Sequence, residues 1–193
     1  MRTARGFTLA LVTTAALAGA AAPAGASTTF HAGPIAYACQ FPDGSPQTVT
    51  LTDAFTGPDT VAPDVNFRTT NVSGSVTLSP AALTWFTSRG SDGLLGGRVA
   101  AFAEAANAPR SSTAAATITP DTWGAGPVAA GFTGGQQTHH SGTSGSITFT
   151  AGQLVLMLSL HRPDGTPAFV TSVCHPEDGQ DTAFTPALPI GPA

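Results

Sequence analysis

The chain has few charged side chains and no lysine at all, and this scarcity limits what it can bind. Charged residues make up 9% of its 193 residues, with seven arginines against eleven aspartates and glutamates. Two of the arginines lie in a predicted signal peptide at residues 1–26, so the exported chain would carry a charge of 5 − 11 = −6. This balance argues against nucleic acid or an anionic membrane as a partner, because both bind basic faces. The apolar fraction of 41% is typical of a folded domain rather than a disordered chain.

The sequence also lacks the short motifs that mark common catalytic sites. The Gly-Thr-Ser-Gly-Ser run at residues 142–146 places its glycine one position too early for a nucleophile elbow. There is no phosphate-binding loop, no dinucleotide-binding fingerprint and no H-E-x-x-H zinc motif. No two carboxylates fall on one identifiable strand face, as glycoside hydrolysis would require. We therefore expect no enzyme activity, no cofactor and no metal.

Residues 1–26 show the features of a secretory signal peptide in the usual order. Two arginines come first, an apolar run follows over about residues 7–22, and an Ala-x-Ala cleavage motif ends at Ala26. A membrane anchor is the alternative, but the apolar run is short for a span and contains several Gly, Ala and Thr residues. We expect cleavage after Ala26 and release to the extracellular space.

Only two cysteines are present, Cys39 near the start and Cys174 near the end. Two cysteines in an exported chain suggest one disulfide, with two free thiols as the alternative. The bond would close a loop of about 136 residues, for which the chain-entropy model gives roughly 5 kcal/mol of stabilisation. Bridged Cα atoms lie within about 7 Å of each other, so the two strands that carry the cysteines are expected to be close neighbours.

Alternation of apolar and polar residues, broken by Gly and Pro turns, indicates short β-strands along most of the chain. The clearest run is 153–161, where four leucines form one face and Val155 and Met157 lie on the other. Both faces are apolar near its middle, so we expect a central strand. Strands are predicted over residues 35–41, 47–55, 61–67, 71–78, 113–119, 128–132, 146–150, 153–161, 168–174 and 182–185. The pattern predicts an all-β fold, an immunoglobulin-like antiparallel β-sandwich of about ten short strands, with a barrel as the alternative.

A single domain is predicted over residues 27–193, with its core at about 35–186, and it contains one short helix near 80–89. Ser79 is placed as the N-cap of this helix, Pro80 is tolerated at its first position, and Gly90 can end it. Trp85 lies on its apolar stripe, and we interpret it as a core residue.

Three other segments carry weaker signals. Residues 27–34 are interpreted as a loose leader, and 134–145 as a polar, mobile loop. Residues 98–106 fit either a helix or a strand. A tight connection is predicted at 151–152, between two separate strands.

Histidines are the best remaining candidates for a ligand site: His31, His139, His140, His161 and His175. His139 and His140 are adjacent, so an extended backbone points them to opposite sides. We expect that His161 and His175 could meet at one end of the fold. Four acids are available as further metal ligands: Asp164, Glu177, Asp178 and Asp181. Exposed turn residues remain the favoured interpretation, because the spacing matches no known metal pattern.

Two single residues raise more specific alternatives. A secreted copper-dependent polysaccharide oxygenase would need His31 as its N-terminal residue, which requires cleavage after Phe30 against the small-residue rule. A carbohydrate-binding module commonly presents planar aromatics on a sheet face. Trp123, in a loop rich in Gly and Pro, is the aromatic that we would test for a glycan contact.

Both cysteines lie in recognisable motifs. Tyr37-Ala38-Cys39-Gln40-Phe41-Pro42 fits Tyr-x-Cys-x-Phe-Pro, and Cys174-His175-Pro176-Glu177-Asp178-Gly179-Gln180 fits Cys-x-Pro-x-x-Gly-Gln. With these motifs the chain resembles a family of actinobacterial secreted domains of unknown function, over most of residues 35–185. The resemblance implies a β-sandwich closed by a disulfide and a strand at 98–106. It brings no catalytic residues.

Taken together, these features lead us to expect a secreted, non-enzymatic protein with a structural or binding role in the extracellular or cell-envelope space. We expect a monomer whose partner is an unidentified extracellular or cell-wall ligand. The alternative is a secreted metal-dependent or polysaccharide-active enzyme that uses a cluster of histidines and carboxylates.

Overall fold

A computed structural model describes residues 26–123 and 128–192, which are mostly antiparallel β-strand with one short helix. The strands are β1 (Ser27–Gln40), β2 (Pro46–Pro58), β3 (Asn66–Leu78), β4 (Gly93–Ala106), β5 (Arg110–Ala114), β6 (Ala116–Ile118), β7 (Asp121–Thr122), β8 (Val128–Thr133), β9 (Gln136–His140), β10 (Ser146–His161), β11 (Ala168–Pro176) and β12 (Leu188–Pro189), and the helix is α1 (Pro80–Thr87). The predicted all-β class is confirmed. The predicted signal peptide, apart from Ala26, lies outside the described residues.

The strand pairings form a closed ring of antiparallel ladders. From β10, each strand is hydrogen-bonded to the next through β11, β1, β2, β3, β8, β6 and β4, and β4 pairs with β10 again. The short strands β12 and β7 pair with β10 and β4, while β9 pairs with the first part of β3 and β5 pairs with β9. The closure matches the barrel alternative, and the immunoglobulin-like arrangement is not confirmed. Within the described residues, no helix has the length and apolar character needed to span a membrane.

Alternate side chains of the long strands fill the inside of this ring. Phe30 stacks on Phe55 with ring centroids 5.1 Å apart, and both rings contact the edge of Phe149. Phe30 and Ala32 are buried and pair with β2, so the segment predicted as a loose leader is a strand from Ser27 onward. The prediction was wrong because burial of Phe30 orders residues whose local pattern is weak.

The predicted polar loop at 134–145 contains the strand β9. Gln137 and His139 point inward and are buried, while the residues beside them are more exposed. Their backbone pairs with β3 on one side and β5 on the other. The polar composition concealed the alternation, because the inward positions are themselves polar.

The two strands predicted on either side of residues 151–152 are one continuous strand, β10. Its ladder with β4 shifts register between Ala151 and Leu154, which marks a β-bulge. A Cβ at Gly152 would lie 2.8 Å from the Phe102 carbonyl oxygen, so only glycine fits this close approach. The glycine therefore bends the strand without ending it.

Two further predicted segments have opposite outcomes. Residues 98–106 belong to β4, as the family resemblance implied. The strand predicted over 61–67 is largely wrong: apart from one bridge at Val61, pairing starts at Asn66, and Asp64 has a positive φ of 57°. Positive φ is incompatible with a regular strand.

The two cysteines form a disulfide across neighbouring strands. Cys39 on β1 is the register partner of Cys174 on β11, with Cα atoms 3.9 Å apart and both residues completely buried. This confirms the predicted pairing and the predicted approach of the two strands that carry the cysteines. The bond lies where the start and the end of the domain meet in the ring.

The predicted helix is confirmed and packs Ala82 and Phe86 against the core. Ser79 is its N-cap, and its hydroxyl oxygen accepts a hydrogen bond from the Ala82 backbone N–H at 3.2 Å. The rest of the predicted stripe is only partly buried: Trp85 packs against Phe41 and donates its indole N–H to Asp43 at 2.8 Å.

Ser79→Ala should therefore lower the free energy of unfolding by about 1 kcal/mol, because one backbone donor at the helix start loses its partner. Ser79→Asp, which retains an acceptor, is the matched control and should stay close to the parent. Urea unfolding checks both variants. Equal stability of Ser79→Ala and the parent would contradict the capping role.

Candidate functional site

The structure does not bring His161 and His175 together. Both are exposed, but the β10–β11 ladder pairs Leu160 with Ala168 at one end and Leu154 with Cys174 at the other. His161 follows the first end and His175 the second, so about eight residues of strand, roughly 25 Å, separate them. Sequence reasoning placed both at the same end because it could not supply the strand lengths.

His161 instead lies in a cleft with residues from three strand ends. Its Nδ1 atom is 2.5 Å from an Asp92 carboxylate oxygen, and Asp121 lines the same cleft. The cleft has a volume of about 500 Å³, and Leu95 and Pro120 give it an apolar floor. We call this the histidine cleft. None of its described lining residues carries a hydroxyl or thiol nucleophile.

The four acids considered as further metal ligands lie elsewhere. Asp164 accepts hydrogen bonds from Thr166 in the β10–β11 turn, and Asp181 accepts one from the Ala183 N–H. Glu177 accepts from Thr48, and Asp178 is exposed. Over residues 26–123 and 128–192, no three His, Cys, Asp or Glu side chains are grouped so that they could hold a metal ion.

Trp123 is half-buried rather than a flat, exposed platform. Its ring packs against Phe86 with centroids 5.6 Å apart, and its indole nitrogen is buried without a hydrogen-bond partner. It directly follows β7, which places it near the histidine cleft. The aromatic face that a glycan would need is therefore mostly covered by the core.

The other three histidines occupy separate places. His139 is completely buried against Phe67, whereas His140 is exposed and contacts Asp64 through Nε2 at 2.9 Å. The two neighbours thus point to opposite sides, as predicted. His31 lines a second cleft of about 430 Å³ with residues that include Gly33 and Asp181.

Two buried ionisable groups lie apart from these clefts. Asp53 is on the inner side of β2, only 6% exposed, and one of its carboxylate oxygens has no hydrogen-bond partner. Burial raises its pKa to about 7, which a hydrogen bond from the Ala54 backbone offsets only in part. Burial also lowers the pKa of His139, against the opposing effect of its contact with the Ala108 carbonyl. In both cases burial disfavours the charged form of the side chain.

The feature that sequence reasoning missed is an apolar outer surface on three adjacent strands. Four large apolar side chains are exposed in the described residues, and three of them, Leu95, Phe169 and Val173, lie on β4 and β11 beside β10. Phe169 is the extreme case at 76% exposure. We call ten of the outward-facing residues on the adjoining parts of these strands the outer face: Leu95, Arg98, Ala100, Val155, Met157, Ser159, His161, Phe169, Thr171 and Val173.

The outer face has a groove next to Phe169 and joins the histidine cleft. The groove has a volume of about 260 Å³, and its lining includes Arg98, Met157 and Phe169. On β10, His161 and Ser159 are two residues apart and point the same way, so the cleft and the groove are successive parts of one surface. A signal for this surface was present in the second apolar face of residues 153–161, which was interpreted only as evidence of a central strand.

Comparison with known protein families matches residues 36–185 to one family of unknown function. The chain belongs to the DUF6801 family. No curated protein and no solved structure matches it.

The DUF6801 match extends from β1 to the segment after β11, so it includes both cysteines and the whole outer face. The resemblance drawn from the cysteine motifs, to a family of unknown function over most of residues 35–185, agrees with this match. The outer face and the histidine cleft are thus parts of the DUF6801 domain itself.

Proposed function

We propose that this DUF6801 protein is a secreted, non-enzymatic domain that binds another protein in the extracellular or cell-envelope space through its outer face. The observation that carries the proposal is the concentration of three of the four exposed large apolar residues, among those described, on one sheet face. Contiguous apolar patches are uncommon on soluble proteins and mark interaction sites. The signal-peptide pattern and the Cys39–Cys174 disulfide support export, because disulfides persist in oxidising compartments.

The residue types on the outer face favour a protein partner over a glycan. Phe169, Met157 and Arg98 belong to the classes that are enriched in protein interfaces, and Leu95 and Val173 add apolar area. A flat glycan-binding platform would need several exposed planar aromatic rings, whereas Phe169 is the exposed ring on the described part of these strands and Phe102 on β4 is half-buried beneath Arg110. Apolar burial is the main favourable term in protein association.

An enzyme is the second candidate, supported by the Asp92–His161 contact in the histidine cleft. A carboxylate that holds one ring nitrogen is how catalytic histidines are oriented. The described lining lacks a nucleophile for that histidine to activate, which makes binding the better proposal.

The proposal can be tested with a photo-crosslinking side chain placed at position 169 of the exported chain and, as the matched control, at Val65. Val65 is 38% exposed but lies outside the outer face. We expect position 169 alone to give a protein crosslink, and Phe169→Ala to weaken binding of the identified partner by about tenfold or more. Equal crosslinking from both positions, or cell-wall binding that Phe169→Ala leaves unchanged, would overturn the proposal.

A further inference from the structure

One row of residues crosses four neighbouring elements of the outer face. Ser159 on β10 is the register partner of Phe169 on β11 and, on its other side, of Gly96 on β4. Pro120 lies beyond Gly96: a Cβ placed on that glycine would be 3.9 Å from Pro120 Cγ. The row therefore has a projecting aromatic ring at one end and the apolar floor of the histidine cleft at the other. Three strand spacings, about 14 Å, separate the two ends.

Charged groups are arranged around the middle of the same row. Arg98 lies two residues beyond Gly96 on β4, opposite Met157, and His161 lies two residues beyond Ser159 on β10, opposite Gly93. Because the strands are antiparallel, these two residues are on opposite sides of the row, each about 7 Å from it. His161 contacts Asp92. Arg98 and the His161–Asp92 pair therefore lie diagonally opposite each other, on either side of the midpoint between Gly96 and Ser159.

This arrangement is self-complementary. A two-fold axis perpendicular to the face at that midpoint exchanges the two ends of the row and also exchanges the positions of Arg98 and His161. An isologous interface requires this property, since each patch must fit its own copy. Small residues lie at the axis, so two sheets can approach to the usual packing distance of about 10 Å.

We propose that the protein bound by the outer face is a second copy of this chain, in a two-fold dimer centred between Gly96 and Ser159. This inference rests on the proposed function and names its partner. Each Phe169 enters the histidine cleft of the other copy and packs on Leu95 and Pro120. Each Arg98 lies over the His161–Asp92 pair of the other copy, where it can reach the Asp92 carboxylate. The sequence alone led us to expect a monomer, and this proposal departs from that expectation because the exposure of Phe169 and the histidine cleft are visible only in the structure.

The dimer should be reversible rather than obligate. The row measures about 14 Å between the centres of its end elements and about 19 Å with their widths, and the charged groups extend the contact to about 20 Å in the other direction. Each copy then contributes on the order of 400 Å², about 800 Å² in total, which is below the roughly 1,200 Å² of stable specific interfaces and in the range of weak, transient ones. Such interfaces dissociate on dilution. The apolar ring supplies affinity, and the two symmetric Arg98–Asp92 contacts supply register.

Sedimentation velocity over a micromolar to millimolar concentration series tests this proposal. We expect a monomer–dimer equilibrium that Phe169→Ala weakens by about tenfold or more, and that Val65→Ala leaves unchanged. Arg98→Asp and Asp92→Arg should each weaken the dimer, because each places like charges together across the axis. The double variant Arg98→Asp with Asp92→Arg should recover most of the association, since the opposite charges face each other again.

A chain that stays monomeric at all concentrations would overturn the dimer, and so would a dimer that Phe169→Ala does not affect. Failure of the double variant to recover association would overturn the two-fold register. These results leave the proposed function separately testable: a position-169 crosslink to a different protein would refute the second copy as partner and support the binding face.

Discussion

Replacing Cys39 and Cys174 together by alanine is expected to lower the free energy of unfolding by about 2–5 kcal/mol. The residues are 135 positions apart, so the bond removes many conformations from the unfolded chain. It also joins β1 to β11 at a short ladder of four register pairs, where the N-terminal and C-terminal parts of the ring meet. Alanine is the suitable replacement, because a serine hydroxyl at these completely buried positions would need a hydrogen-bond partner.

Urea unfolding with and without reductant measures this effect. The single variants Cys39→Ala and Cys174→Ala are the controls and should lose most of the same stability, because neither can form the bond. The oxidised parent should not react with thiol reagent before it is unfolded and reduced. Reaction of the native protein with two equivalents of reagent, or an unchanged unfolding midpoint in the double variant, would contradict the prediction.

Local patterns were sufficient for the elements that depend on local interactions. Ser79 and Pro80 predict α1, because an N-cap and an N1 proline act within one turn. Alternation predicts most of the strands, since the inward side chains of β10 and, apart from Asp53, of β2 are apolar. Cys39 and Cys174 could be paired without geometry because the chain has no other cysteine.

The closure of the ring could not be predicted in the same way. It depends on β4 pairing with β10 along most of its length, across bulges that shift the register near Ala151 and near Ser159. A bulge changes which residues meet without changing the composition of either strand. The inward polar residues Gln137 and His139 had a similar effect, because they conceal the period of β9.

The candidate site was the least predictable part. Trp123 was chosen as the aromatic to test for a glycan contact but packs on Phe86, while Phe169 was assigned to a strand and is 76% exposed. Alternation separates the two faces of a strand, but it does not show which apolar face is covered. His161 was identified as a candidate and its partner Asp92 was not, since they are 69 residues apart and meet only through the β4–β10 ladder.

Asp53 could have been recognised from its position. It falls between Leu51 and Phe55 in the alternation of β2, on the side that carries the large apolar residues. A carboxylic acid in such a row is predicted to be buried if the strand keeps its register. The structure places it inside the ring, where it also acts with burial to raise the pKa of Tyr37.

Asp53→Asn is expected to stabilise the protein by up to about 4 kcal/mol near pH 8 and to leave its stability near pH 3 almost unchanged. The pKa of Asp53 is raised from 3.8 to about 7 in the folded state. Below pH 3.8 the Asp53 carboxyl is protonated in both the folded and the unfolded state, so its ionisation does not reduce the free energy of unfolding there. Between the two values the unfolded state releases a proton that the folded state keeps, so stability falls by about 1.4 kcal/mol per pH unit. Asparagine cannot ionise, and its oxygen can still accept from Ala54.

Asp43→Asn is the matched control, because its pH dependence has the opposite sign. Hydrogen bonds from Ser45, and then from Trp85, lower the pKa of the exposed Asp43 carboxyl to about 2. That carboxylate stabilises the fold above its unfolded pKa of 3.8, and the contribution is lost as the pH falls through about 2. Asp43→Asn should therefore destabilise the protein at neutral pH, where Asp53→Asn stabilises it. Urea unfolding of both variants across the pH range checks this, and a stabilisation by Asp53→Asn that is equal near pH 3 and near pH 8 would show that ionisation of Asp53 is not its cause.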